Sequence, residues 1–459
     1  MKSVLILSAL SSMLLSAIVE TGEGTFLDIY ADRNAQSNIV ATVSADKGKI
    51  NKKHCFTVGN NEEWCSLTYD YNGLTLKGYA DKKSLDMLAA RTNTKATFET
   101  SFGGRYDDIG NAILPLKDGY LIVGSTKSFG DGQQDAYVMK TDKFGNKVWS
   151  ATYGGRQDDT VNAVVATDDG FMLAGTTSSF GNRAQSIYMA KIFSNGSLAW
   201  QHGYYSDWDD YYNGESIVKI SDDNFLVVGT EDHVKFFNSE VNIYANAINI
   251  KGQRNGIKRY GGDEVDRAKS VIKVKDGYVI AGLTDSWTHG REDAYVVKID
   301  NNGDRVWHNA FGFRYDEVAN QVIATQDGGY ITVGTTDSDI SNQKDIYIVK
   351  IDANGNRQWH YHYGSREIEE GFGIVEVNDG YVIAGYTKDT SNYDKDAYLL
   401  KIDRDGNILW AKKYGGSKDD EARAIAKVDD GFVITGYTTS SENYSKEMYL
   451  LKVDSNGNL

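Results

Sequence analysis

Tyr363-Gly364-Ser365, then Glu369, then Asp379-Gly380-Tyr381-Val382-Ile383-Ala384-Gly385-Tyr386-Thr387, then Asp396-Ala397-Tyr398-Leu399-Leu400-Lys401-Ile402-Asp403, then Gly406-Asn407-Ile408-Leu409-Trp410: this phrase decides the fold. Short apolar runs broken by Gly, Asn and Asp are strand and turn signals. Similar phrases open at Phe102, Tyr153, Tyr204, Tyr260, Phe311, Tyr363 and Tyr414, about fifty residues apart. A repeat of that length made only of strands and turns predicts an all-β protein built around a seven-bladed β-propeller. Features common to every copy read as architecture. Specific activity belongs where the copies differ.

Each copy divides into four strands. The first starts at an acid, as in Asp420-Glu421-Ala422-Arg423-Ala424-Ile425-Ala426, and its small residues suit the crowded innermost position. The second is the Gly-aromatic-apolar run, as in Gly431-Phe432-Val433-Ile434-Thr435-Gly436. The third carries a tyrosine in every copy: Tyr137, Tyr188, Tyr244, Tyr295, Tyr347, Tyr398 and Tyr449. The fourth carries Trp149, Trp200, Trp307, Trp359 and Trp410. The last copy stops at Gly457-Asn458-Leu459, before its tryptophan strand. Residues 95–102 supply the missing piece, with Phe98 at the tryptophan position, so the N-terminal strand is expected to close the ring as the outer strand of the last blade.

Composition sets the broad class. Gly numbers 47, Tyr 30, and Pro115 stands alone, so turns rely on Gly, Asn and Asp. A net charge of −15 with scattered Lys and Arg argues against a nucleic-acid partner, which needs a concentrated basic footprint. Residues 1–20, one basic residue followed by an apolar run, read as a signal peptide, so the chain is expected to be exported, periplasmic or extracellular at the cell surface. No later segment is long and apolar enough to predict a membrane span. The two cysteines, Cys55 and Cys65, then favour a disulfide.

Residues 24–88 stand outside the repeat and show short alternating segments, among them Thr25-Phe26-Leu27-Asp28-Ile29-Tyr30 and Trp64-Cys65-Ser66-Leu67-Thr68-Tyr69, which predict a small β-barrel. The strand ending at Tyr30, the Ile39-Val40 strand, Trp64 after an Asn-rich turn, and the closing Lys77-Gly78-Tyr79-Ala80-Asp81 together resemble the bacterial SH3 (SH3b) family. That resemblance implies a module for cell-wall peptide or protein docking. Residues 89–95 read as a linker, and 96–459 as the propeller. The repeat itself is similar to secreted and cell-surface β-propeller repeats, with a tryptophan strand like that of the docking motif in quinoprotein propellers. This implies a fold and little about activity.

Chemistry has few footholds. An acid follows each marker aromatic: Asp108, Asp159, Asp210, Asp266, Glu317, Glu369 and Asp420. Such acids could ring one mouth of the channel and hold a cation, calcium being the natural one for oxygen ligands, or each could close its own turn. No motif requires a cofactor. The histidines follow no ligand spacing and the cysteines lie outside the repeat, so no catalytic residue is assigned. The third copy departs most: Tyr204, Tyr205, Trp208 and Tyr211 replace its Gly-Gly phrase, and a longer loop carries Phe236. Trp287 and His289 come from the corresponding loop of the next copy. Aromatics beside acids suit a binding face for a protein or glycan. The expected function is therefore an exported, non-enzymatic, monomeric binding protein; the alternative is a secreted carboxylate-dependent glycoside hydrolase or lyase working at the channel mouth.

Overall fold

The computed structural model describes residues 26–30, 39–44, 49–58, 62–71, 74–81 and 97–459, apart from loop segments 182–184, 207–209, 234–239, 289–290, 338–342, 390–393 and 441–444. Contacts divide the chain into two compact units, Met1–Lys95 and Ala96–Leu459. Residues 1–20, expected to be a signal peptide, lie outside the described residues.

The N-terminal unit is one antiparallel sheet of five strands, Phe26–Tyr30, Ile39–Ser44, Lys49–Val58, Glu62–Tyr71 and Leu74–Asp81, in the order second, first, fifth, fourth, third. Trp64 and Cys65 are buried. Cys55 is the direct cross-strand partner of Cys65, and the Cys55 side chain lies outside the described residues.

The larger unit is a ring of seven four-stranded antiparallel sheets. Their first strands, Asp108–Leu116, Asp159–Thr167, Tyr211–Ser221, Asp266–Val274, Glu317–Ala324, Ile368–Val377 and Asp420–Val428, each touch the first strand of the next blade, and the last touches the first. Six blades are continuous in sequence. In the seventh, the strand Glu447–Asp454 pairs with Phe98–Phe102, so the two ends of the unit meet in one sheet. Met448 faces Phe102 and Lys452 faces Phe98 in that register.

The apolar residues of the second and third strands fill the spaces between blades. Leu121, Val123, Ala136 and Val138 of blade one pack with Phe171, Leu173, Tyr188 and Ala190 of blade two, and this arrangement recurs around the ring. Every first strand contains a bulge, leaving Asn111, Asn162, Glu215, Lys269, Asn320, Phe372 and Arg423 unpaired in the ladder. Several of these reach the adjacent blade: Asn162 donates to the Gly214 carbonyl at 2.8 Å, Asn320 to Gly371 at 2.8 Å, and Arg423 to the Asn111 side chain at 3.0 Å. Bulges re-aim side chains, and here they tie the innermost strands together.

The turns between third and fourth strands explain the Asp-x-x-Gly phrases. Asp142, Asp300, Asp352, Asp403 and Asp454 each accept the N–H groups two and four residues on, at 2.8–2.9 Å. The glycine of each turn, from Gly145 to Gly457, has φ between 71° and 89°, where a Cβ is strained. The marker tyrosine of the preceding blade donates to that glycine's carbonyl: Tyr153 to Gly196 at 2.5 Å, Tyr260 to Gly303 at 2.8 Å, Tyr414 to Gly457 at 2.7 Å. Phe311 has no hydroxyl, and Asn309 donates to Gly355 in its place at 3.0 Å. The rings of Trp149, Trp307 and Trp410 lie against Gly196, Gly355 and Gly457, and Phe98 lies in the same way against Gly145.

A lysine on the third strand pairs with the aspartate of the first hairpin in six blades, as in Lys191–Asp169 at 2.7 Å and Lys350–Asp327 at 2.8 Å. Lys350 is 2 % exposed, so the ammonium depends on its partner. Burial pushes the Asp327 carboxyl up, but Lys350, Thr325 and the Gly329 N–H outweigh it and bring it down to about 2. Its contribution is therefore present above the ordinary value of 3.8 and is lost as pH falls toward about 2. The melting-temperature gap between the protein and its Asp327→Asn variant should shrink over that window; a constant gap contradicts the pairing.

Blade three breaks this pattern. Ala247 replaces the lysine, and Asn246 stands where other blades have Met139, Ala190, Val297, Val349, Leu400 and Leu451. Asn246 is 0 % exposed, and neither end of its amide has a hydrogen-bond partner. A buried, unpaired amide costs about 1–3 kcal/mol. Asn246→Val should therefore raise stability by about 2 kcal/mol in denaturant titrations. A lower midpoint would show that the amide is satisfied.

Candidate functional site

Six blades share one device at the end of the ring where the loops joining strands two and three meet the connections between blades. The first-strand acid accepts hydrogen bonds from its own turn and from hydroxyls across the blade. Asp108 accepts the Gly104 N–H at 2.8 Å, the Ser128 hydroxyl at 2.7 Å and the Thr126 hydroxyl. Asp159 accepts Gly155 N–H at 2.7 Å and Ser179 at 2.6 Å; Asp266 accepts Gly262 N–H at 2.7 Å and Ser286 at 2.8 Å. Asp420 accepts Gly416 N–H and Ser440, Glu317 accepts Phe313 N–H and Thr336, and Glu369 accepts the Ser365 hydroxyl. Burial pushes Glu369 and Asp420 above the ordinary carboxyl range. The register sets each acid opposite a buried threonine: Thr126, Thr177, Thr284, Thr336, Thr387 or Thr438.

In blade three this pair is inverted. The position opposite the second strand's end is held by Tyr212, not Asp210, and its partner is Glu231. The backbone confirms the equivalence, because Tyr212 N–H donates to Gln185 just as Asp159 N–H donates to Gln134. The connection from Tyr204 is two residues longer than its counterpart from Tyr153, which shifts Asp210 off the first strand. The hydroxyl now comes from strand one and the carboxylate from strand two, with Tyr212 donating to Glu231 at 2.8 Å.

The inversion frees the carboxylate for a different set of partners. Glu231 is 0 % exposed. Arg259 grips it with both Nε and an Nη, the latter at 2.7 Å, and Ser206 donates at 2.9 Å. Burial raises the Glu231 carboxyl, but Arg259, Tyr212 and Ser206 prevail and hold it below the usual range. Glu231 in turn pushes the Arg259 guanidinium up. The guanidinium also lies 5.5 Å from the centre of the Tyr244 ring. His233 completes the cluster, with Nδ1 2.7 Å from Asp210 Oδ2 and Nε2 3.4 Å from Glu231 Oε2. The side chains of Arg259 and His233 are 41 % and 20 % exposed, so the cluster is reachable from solvent.

The residues singled out from sequence fare unequally. Tyr204 is buried and donates to the Gly252 carbonyl at 2.7 Å, repeating the scaffold bond of its counterparts; it is therefore no ligand platform. Trp287 stacks on Tyr295 at 5.3 Å and meets His308 edge-on at 4.4 Å. Phe129 and Phe180 cover Tyr137 and Tyr188 in the same manner, so Trp287 acts as a wedge. Tyr205 is half-buried beside the blade-two/blade-three core, its carbonyl accepting from Arg254 at 2.9 Å, and Tyr211 is 48 % exposed. Trp208, Phe236 and His289 lie outside the described residues. Of the seven acids, six sit in their own turns and Asp210 alone joins a mixed cluster. Glu231 and His233 open the third copy's longer loop, but no motif gives them a role or points to Arg259. Their signal was present: six copies read Gly-x-Thr at the end of strand two, and the third reads Gly229-Thr230-Glu231.

No family model and no curated protein matches the chain. Solved structures do resemble it at low identity. The chain is similar to Sqt1 from Chaetomium thermophilum (13 % identity, 74 % of this chain and 83 % of that one, TM-score 0.45). It is similar to the polysaccharide lyase Uly1 (9 % identity, 80 % and 95 %, TM-score 0.49) and to a mutant apocarotenoid oxygenase of Synechocystis (9 %, 79 % and 86 %, TM-score 0.39).

Proposed function

We propose that this chain is an exported, non-enzymatic binding protein that recognises a glycan or protein ligand on the loop face of blade three. The observation that supports this best is the inverted Tyr212–Glu231 pair, which places a buried carboxylate under the accessible Arg259 and His233. Paired charged groups fixed by a rigid sheet orient hydroxyl-rich or charged ligands with little ordering cost. The exposed Tyr211, between Asp210 and Tyr212 in sequence, offers a stacking surface.

The strand order of residues 26–81 is compatible with an SH3b-like docking module, and the opposition of Cys55 and Cys65 with a disulfide between them. Both features suit an exported protein. The test is a glycan array and pull-down with the full chain, repeated with Arg259→Ala. Ligand capture that the variant loses by tenfold or more supports the reading; capture unaffected by the variant refutes this site.

A hydrolase or lyase reading has one observation in its favour, the Asp210–His233 contact beside a second carboxylate and a tyrosine hydroxyl. Turnover of a captured glycan, lost in His233→Ala with binding retained, would replace the binding reading by the enzymatic one.

A further inference from the structure

We propose that Asp210, Glu231 and His233 form a site for one divalent transition-metal ion of the zinc class. The inference rests on the reading of blade three as the functional blade, and names a ligand for it. Among the described residues these three offer ligand atoms that all lie within 4.8 Å of one another, and both carboxylates are buried. Metal bonds of about 2.0–2.2 Å to nitrogen and oxygen demand such convergence, and closure around an ion needs shifts of about an ångström or less.

Charge carries the argument further. In the other blades the first-strand carboxylate sits among hydroxyl and N–H donors. Blade three brings two carboxylates onto one histidine ring. Arg259 pairs with Glu231, and the His233 ring lies against both Asp210 and Glu231. An ion among them would be held by one ring nitrogen and one oxygen of each carboxylate. Arg259 can keep Glu231 Oε1 through its Nη while its Nε gives up Oε2 to the ion.

The donor set chooses the metal. One imidazole and two carboxylates suit zinc or manganese, whereas calcium takes six to eight oxygens, which this cluster does not supply.

The experiment is calorimetric titration of the EDTA-stripped, dialysed full chain with zinc chloride, manganese chloride and calcium chloride, alongside thermal unfolding. One zinc equivalent bound per chain, a melting temperature raised by several degrees, and no response to calcium are expected. Asp210→Asn and His233→Ala should each weaken zinc binding tenfold or more. No saturable zinc binding up to about 1 mM overturns the inference, and so does binding retained in both variants, which would place the ion on other histidines. Glycan capture repeated in EDTA separates the two proposals. Capture by a chain that binds no zinc sinks only the metal site, and zinc binding without any captured ligand sinks only the recognition reading.

Discussion

Deleting residues 96–102 from the otherwise intact chain should abolish the sharp, cooperative unfolding of the propeller. The Phe98–Phe102 strand supplies the fourth member of blade seven. It also places Phe98 against Tyr120, with ring centres 6.3 Å apart, and over Gly145 of the first blade. Glu99 accepts the Tyr449 hydroxyl at 2.6 Å, and Ser101 donates to Glu447 at 2.6 Å. Removing an aromatic residue from such a contact costs about 3–5 kcal/mol, and each lost hydrogen bond about 1 kcal/mol more. The Glu447–Asp454 strand would then present a bare edge, which recruits other chains. Calorimetry should show a melting temperature lower by 10 °C or more, or aggregation on expression. An unchanged transition would mean that the ring holds without this strand.

Glu231→Thr should be the most damaging single substitution in blade three. It strips the partner from Arg259, from the Tyr212 hydroxyl, which is 1 % exposed, and from Ser206. Breaking a buried charge pair from one side costs about 3–5 kcal/mol; the half-exposed guanidinium can turn to water, so about 3 kcal/mol is expected. Thr126→Ala in blade one breaks no charge pair; it loses the hydroxyl bond to Asp108 and the bonds from the Ser128 and Phe129 N–H groups, and should cost about 1–2 kcal/mol. Denaturant unfolding of the two variants checks the contrast, and equal costs would remove any special standing of Glu231.

The sequence made most of the ring legible because its signals repeat. The Asp-x-x-Gly turns, the third-strand tyrosines and the tryptophan strands each recur often enough to separate architecture from accident. The Phe98 strand was readable because the last copy ends before its tryptophan. The site was less legible. Reading by distance from the marker aromatic put Asp210 in register with the six scaffold acids, whereas the longer connection after Tyr204 moves Tyr212 into that place. Counting along one strand cannot reveal what a cross-strand register does. Aromatics drew attention in the divergent loops, yet Tyr204 and Trp287 have counterparts in other blades that do the same packing. The bulges that lift Asn111, Arg423 and their equivalents out of the ladder leave no mark in the apolar pattern either. What distinguishes blade three is a polar exchange, a carboxylate where every other copy has threonine.

Tyr212→Asp combined with Glu231→Thr rewrites blade three with the acid and hydroxyl of the other six. If the inverted pair exists for ligand recognition and not for folding, the double variant should unfold within about 1 kcal/mol of the unaltered protein, recovering what Glu231→Thr alone loses. It should at the same time lose zinc and glycan capture tenfold or more. A double variant that is as unstable as Glu231→Thr, or one that is stable and still captures both, would contradict the assignment of blade three as the functional blade.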